Sequence, residues 1–216
     1  MTGRRNAIIY GLVLACAAAA YGQTSQAPPA RCAILTQLQI PGVALEITKA
    51  EWHAAGMTPS QPGQMAMPPI ALPAYCRLDG MIDHRIGLKG VSYGIGFALA
   101  LPDEWNGRFL MQGGGGLNGQ VSMPLGMVAT GGSPGLARGF AVASTDTGHQ
   151  SKGGFDAGFM QDQQAALDFA YVAVGRVAAL AKQIVAQYYG KPAIQLRLYL
   201  FQASITQAIY LFRQEA

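Results

Sequence analysis

The stretch RFLMQGGGGLNGQ (residues 108–120) sets four consecutive glycines directly after an apolar run. Glycine in a strand or turn costs conformational entropy, so it is placed where φ must be positive or where something approaches the backbone closely. The surrounding pattern gives the setting. Val91, Tyr93, Ile95, Phe97, Leu99 and Leu101 alternate with small residues, a period of two that predicts a strand over 91–101. PDEWNG (102–107) is turn chemistry, and Arg108 to Gln112 reads as a second strand that runs into the glycines. GFAVASTDTGH (139–149) reads as a third strand that ends in small polar residues. Asp162 to Gly190 has no internal proline, is dense in Ala, Val and Leu, and is followed by Lys191-Pro192, which predicts a long, largely buried helix. Strands alternating with a long helix indicate an α/β sheet, in one domain for a chain of 216 residues.

The N-terminal part has a different texture. Residues 1–22 read as a secretory signal: Arg4 and Arg5 lead an apolar run from Ala7 to Ala20, and Ala20 and Gly22 suit cleavage before Gln23. The run is short for a membrane span, and the alternative is a lipoprotein signal ending at Cys16. Without Arg4 and Arg5, thirteen basic residues face eleven acidic ones, with no basic run, which argues against a nucleic-acid partner. After export Cys32 and Cys76 remain as an even pair, read as a disulfide rather than two buried thiols. Such a bridge removes roughly 3–4 kcal/mol of unfolded-state entropy. Two cysteines alone build no zinc site. Residues 23–75 hold eight of the twelve prolines, so 23–90 reads as an irregular wrap with a short helix at 47–56.

Three chemistries could use the glycines. Gly114-x-Gly116-x-x-Gly119 matches a dinucleotide fingerprint, but Gln120-Val121-Ser122-Met123-Pro124 is a poor helix start and no acidic residue stands about 20 positions on. A P-loop lacks its Gly-Lys-Ser/Thr. An oxyanion hole fits better, because glycines let backbone N–H groups turn toward developing negative charge, each such donor being worth roughly 3–4 kcal/mol in the transition state. The plain alternative is a flexible turn.

A hole needs a nucleophile. Gly90-Val91-Ser92-Tyr93-Gly94 matches G-x-S-x-G, yet Ser92 continues into strand where an elbow turns into helix. In Gly131-Gly132-Ser133-Pro134-Gly135 the residue after Ser133 is proline, with no N–H to give. His53 and His84 show no catalytic neighbourhood, and Asp146 with His149 reads as a polar pair at a strand end.

LPDEWNGRFLMQGGGGLNG, GFAVASTDTGH and ALDFAYVAVGRVAALAKQIVAQYYGKP together resemble the tannase and feruloyl esterase family of serine carboxylic-ester hydrolases, over roughly Cys32 to Pro192. The resemblance implies an α/β-hydrolase fold, here its N-terminal portion with an incomplete sheet. It also implies export, and an N-terminal disulfide that Cys32 and Cys76 would match. Gly116, with Gly115 beside it, falls where the family places an oxyanion donor. The substrates implied are aromatic esters such as galloyl or feruloyl esters.

After YYGKP the family has a strand leading into Gly-Cys-Ser-x-Gly-Gly, whose serine is the nucleophile. Here the chain reads AIQLRLYLFQASITQAIYLFRQEA, and no glycine occurs in 194–216 although 28 precede it. Ile194 to Phe201 still reads as a strand. Ser204 stands near the expected spot without the flanking glycines or the cysteine. The family's triad acid and histidine, and its lid with a calcium site, would come later, so no cofactor is expected in this chain. The expectation is a truncated or frameshifted copy with a divergent tail (194–216), inactive and prone to aggregate through uncovered apolar surface. Two alternatives stay open: a non-catalytic exported remnant or binding module, and an esterase with an unconventional nucleophile.

Overall fold

In a strand buried on both faces, alternation sorts side chains by size. The computed structural model, which describes residues 27–58, 69–126, 132–151 and 155–199, shows this between Tyr93 and Pro102, where every residue is buried. In chain order the strands are β1 (Leu45–His53), β2 (Gly56–Met57), β3 (Ala71–Leu72), β4 (Tyr75–Ile86), β5 (Ser92–Pro102), β6 (Arg108–Gln112), β7 (Ala141–Thr145) and β8 (Gln195–Tyr199). The helices are α1 (Pro28–Ala33) and α2 (Gln163–Tyr189). Six strands form one sheet in the order β1-β4-β5-β7-β6-β8, while β2 and β3 pair separately. From β1 to β7 neighbours run antiparallel, and β7, β6 and β8 run parallel.

Ile95, Phe97, Leu99 and Leu101 of β5 join Phe109, Met111, Ala141 and Ala143 under α2, which contributes Val174, Val177, Ala181 and Ile184. Leu110 and Val142 point the other way, into a smaller cluster with Met123, Leu136 and Phe140. α2 is long and apolar enough to span a membrane, but its buried stripe serves this core. Asp162 caps its start by accepting from Ala165 N at 3.0 Å, and Gly190 ends it in the left-handed conformation at φ 69°. One wide turn at Asp168–Val172 interrupts the α pattern.

The stretch expected to be irregular holds two strands of the main sheet, and the short helix expected at 47–56 is strand β1. The reason is a bulge. The register of β1 on β4 shifts between Ile47 and Lys49, so Leu45 and Ile47 face the core in one phase and Ala50 and Trp52 in the other. That shift hides the period of two from sequence reading. Cys32 and Cys76 form a disulfide with Cα atoms 5.5 Å apart, tying α1 to β4. The predicted strand at 194–201 is β8. The signal segment at 1–22, Cys16 and Ser204 lie outside the described residues.

Candidate active site

Parallel strands end on one edge, and ligands of open α/β sheets bind beyond their carboxyl ends. Here Gln112 is level with Ser144 of β7 and with Tyr199 of β8. The glycines of 113–116, the TDTGH segment (145–149) and the end of β8 at Tyr199 therefore share that edge. Gly116 and Gly119 have φ +59° and +77°, and Asn118 adopts +36°. A side chain at Gly114 would overlap the Asn118 amide, and one at Gly119 would overlap Ser151. Asn118 N bonds the Gly115 carbonyl at 3.1 Å, closing a tight turn. Its Nδ2 donates to the Thr145 carbonyl at 2.6 Å, while Gly119 N donates to the Asp146 carbonyl at 3.1 Å. Gln112 braces the far end of the loop through Met123 O and Gly126 N. Gly115 and Gly116 are exposed, and no other described residue takes up their N–H groups. Clasped to β7, the loop thus presents two backbone donors to the edge.

The clasp rests on a buried carboxyl. Asp146 accepts from Gly96 N and Gly148 N, both at 2.9 Å, and from Gln150 Nε2 at 2.7 Å. Any side chain at Gly96 would run into its carboxylate. Burial pushes the Asp146 carboxyl up to about 6 against the pull of those hydrogen bonds. Asp146 and His149 do not form the expected polar pair. The His149 ring stacks on Phe159 with centroids 3.6 Å apart and meets Phe169 edge-on. Burial lowers the basicity of the ring against the pull of the backbone at Leu117 and Thr147, so the ring is neutral near pH 7.

The serine decoys fare differently. His84, which sequence reading leaves without a catalytic neighbourhood, bonds Ser92 Oγ through Nε2 at 2.8 Å, while its Nδ1 lies 3.4 Å from Glu46 Oε1. The β4–β5 pairing brings these residues together across sequence gaps that hid them. The arrangement has the order of a Ser-His-acid triad, yet His84 and Glu46 are exposed and the strand continues through Ser92 without the turn that aims two N–H groups at an oxyanion. His53 stacks on Tyr75. Among the described residues no group of three or more His, Cys, Asp or Glu side chains could hold a metal ion.

The chain is 38% identical over 161 residues to a mono(2-hydroxyethyl) terephthalate hydrolase of Piscinibacter sakaiensis, covering 71% of this chain and 25% of the relative. It is 36% identical over 92 residues to a probable feruloyl esterase B-2 of Aspergillus flavus, covering 43% of this chain and 16% of that protein. The chain thus spans a quarter or less of the length of these relatives. The crystal structure of feruloyl esterase B from Aspergillus oryzae superposes with a TM-score of 0.62 at 24% identity, over 80% of this chain and 32% of that one. That likeness establishes the α/β-hydrolase type of fold, with an incomplete sheet. The tannase and feruloyl esterase family model matches residues 82–205, more than half of the sequence, and the chain belongs to that family of carboxylic ester hydrolases.

Proposed function

We propose that this chain is the N-terminal part of an exported serine esterase that cleaves aromatic carboxylic esters through an acyl-enzyme. The supporting observation is the clasped glycine loop, which leaves the N–H groups of Gly115 and Gly116 free beside the edge where β8 ends. In the proposed reaction a serine hydroxyl following β8 adds to the ester carbonyl, and Gly116 N–H with a second N–H stabilises the tetrahedral oxyanion. Collapse of that intermediate expels the alcohol, and water then releases the acid. Ser204 is the weak candidate for that serine, since its sequence lacks the glycines an elbow needs. Residues 1–216 alone are proposed to be inactive. Export fits the Cys32–Cys76 disulfide, which persists in oxidising compartments. No cofactor is proposed to bind residues 1–216.

The test reads the gene beyond codon 193 in all three frames for Gly-Cys-Ser-x-Gly-Gly. It then assays methyl ferulate and methyl gallate with residues 1–216 and with the longer polypeptide so restored. Turnover by the longer polypeptide alone supports the proposal. Turnover by 1–216 overturns its inactivity. A longer polypeptide that cleaves neither ester, or the absence of the motif in every frame, overturns the aromatic-esterase reading for this chain.

A further inference from the structure

Residues 145–151 run back along the glycine loop. Thr147 and Gly148 take φ +65° and +94°, and a side chain at Gly148 would overlap Asp168. That turn returns the chain toward the loop and brings the His149 ring beside Gly119, where a Cβ would stand 3.0 Å from its Nε2. On either side of the ring the backbone is pinned. Asn118 Nδ2 donates to the Thr145 carbonyl at 2.6 Å, and Gly119 N donates to the Asp146 carbonyl at 3.1 Å. Ser151 N donates to the Gly119 carbonyl at 2.9 Å. These bonds grip the loop at Asn118 and Gly119. The ring adds a grip at Leu117, the residue that follows Gly116, because it is hydrogen-bonded with the backbone at Leu117 and at Thr147.

The surroundings hold the ring still. His149 is 1% exposed, stacks on Phe159 with centroids 3.6 Å apart and meets Phe169 edge-on at 5.8 Å. The Leu117 side chain packs against the same cluster, with Tyr93, Phe159 and Ala165. Were packing the whole role, an apolar side chain would fill this space without the cost of burying a polar ring. What an apolar residue lacks is the pair of ring nitrogens, one a donor and one an acceptor in neutral imidazole. A donor whose direction is frozen before charge develops needs no reorganisation at the moment of reaction. We propose that His149 is a positioning residue, whose imidazole ties Leu117 to the Thr147 turn and thereby fixes the direction of the Gly115 and Gly116 N–H groups. The catalytic meaning of that direction rests on the oxyanion-hole reading, while the tie itself rests on the fold.

The experiment follows isotope-labelled residues 1–216 by NMR, with histidine, phenylalanine or glutamine at position 149. The parent chain should show a slowly exchanging His149 ring N–H with nuclear Overhauser cross-peaks to Leu117 or Thr147. The order parameters of the Gly115 and Gly116 N–H groups should lie near about 0.85, the value of rigid backbone. His149→Phe keeps an aromatic ring against Phe159 but removes both nitrogens, and both order parameters should fall below about 0.6. His149→Gln supplies a donor and an acceptor without the ring, and should recover more than half of that loss. Should the phenylalanine variant fail to fold, the ring N–H of the parent and rigid glycines in the glutamine variant carry the test. No protected ring N–H, mobile glycines in the parent, glycines equally rigid in His149→Phe, or glycines in His149→Gln as loose as in His149→Phe would each overturn the proposal. Turnover is not read, so failure here leaves the esterase reading standing, and failure of that reading leaves the tie intact.

Discussion

The two histidine-bearing corners of the sheet offer different chemical groups. At the β4–β5 end, Glu46, His84 and Ser92 line up in triad order, in solvent, on regular strand. At the end of β6 and β7, the glycine loop presents two backbone donors, fixed by Asn118 and the buried Asp146, and Ser151 Oγ and His149 Nε2 both border Gly119. The first corner has a serine–histidine–acid line without converging N–H donors; the second has the donors. Donors aimed at developing charge in a shielded site usually supply the larger share of catalysis. A backbone held in an unusual conformation by several buried hydrogen bonds is also harder to assemble than one surface histidine bond. We therefore propose the second corner as the functional one, and the following perturbations can break that proposal.

The largest effect is expected at Gly96. Its Cα faces the Asp146 carboxylate, so Gly96→Val must push apart β5 and the segment that clasps the loop. The expected loss is about 3 kcal/mol or more, a fall of roughly 6–12 °C in melting temperature for a chain of this size. An unchanged melting temperature would mean that Asp146 is not the brace described. The Asp146 carboxyl gives a second test through pH. Its folded value is raised to about 6, so the folded state holds the proton longer than the unfolded chain. That contribution is complete below about pH 4 and is lost as pH rises through 6, up to about 3 kcal/mol in all. Asp146→Asn should remove this slope: urea unfolding of variant and parent should diverge between pH 4 and 7, with the variant gaining relative stability at the higher pH. A parallel pair of curves would place the carboxyl in a wetter setting. Asp162 titrates in the opposite sense, since Arg85 holds it well below the usual carboxylate range, and the difference curve cancels it. Asn118→Ala is smaller, about 1–2 kcal/mol, and its mark is local: amide exchange at Gly119 and Asn118 should quicken while the β1–β4 ladder stays protected. Equal quickening in both places would show that Asn118 holds no separate loop.

Much of this edge was legible from residues. The period of two in 91–101, the turn at 102–107 and the glycine run follow directly from side-chain size and backbone freedom. The proline-rich N-terminal part was misjudged because the bulge after Ile47 changes the phase of β1, which period counting cannot see. His84 and Ser92 were read as unrelated because only the β4–β5 pairing, itself shifted between Ile82 and Arg85, makes them neighbours. Asp146 and His149 were expected to pair because they stand three residues apart at a strand end. The positive φ of Thr147 and Gly148 turns them to different partners, one into backbone donors and the other onto Phe159.

The smallest expected effect is also the one that most sharpens the contrast. If a serine–histidine–acid line sufficed, Ser92 would be the nucleophile of this chain. A hydroxyl bonded to an exposed imidazole is still paired in water with competing solvent, and no convergent N–H groups wait for the charge that attack creates. Incubation with a serine-directed aryl phosphonate, followed by peptide mass mapping, should leave Ser92 unlabelled at times that label an esterase nucleophile fully. His84→Ala should change the melting temperature by no more than about 2 °C, as for other exposed pairs. Stoichiometric labelling of Ser92 that His84→Ala abolishes would reverse the assignment, because it would show the relay acting without the loop. Labelling that survives His84→Ala would instead reflect an intrinsically reactive hydroxyl. Either result would move the chemistry from the parallel end of the sheet to the antiparallel one, and the clasped glycines would then be a turn.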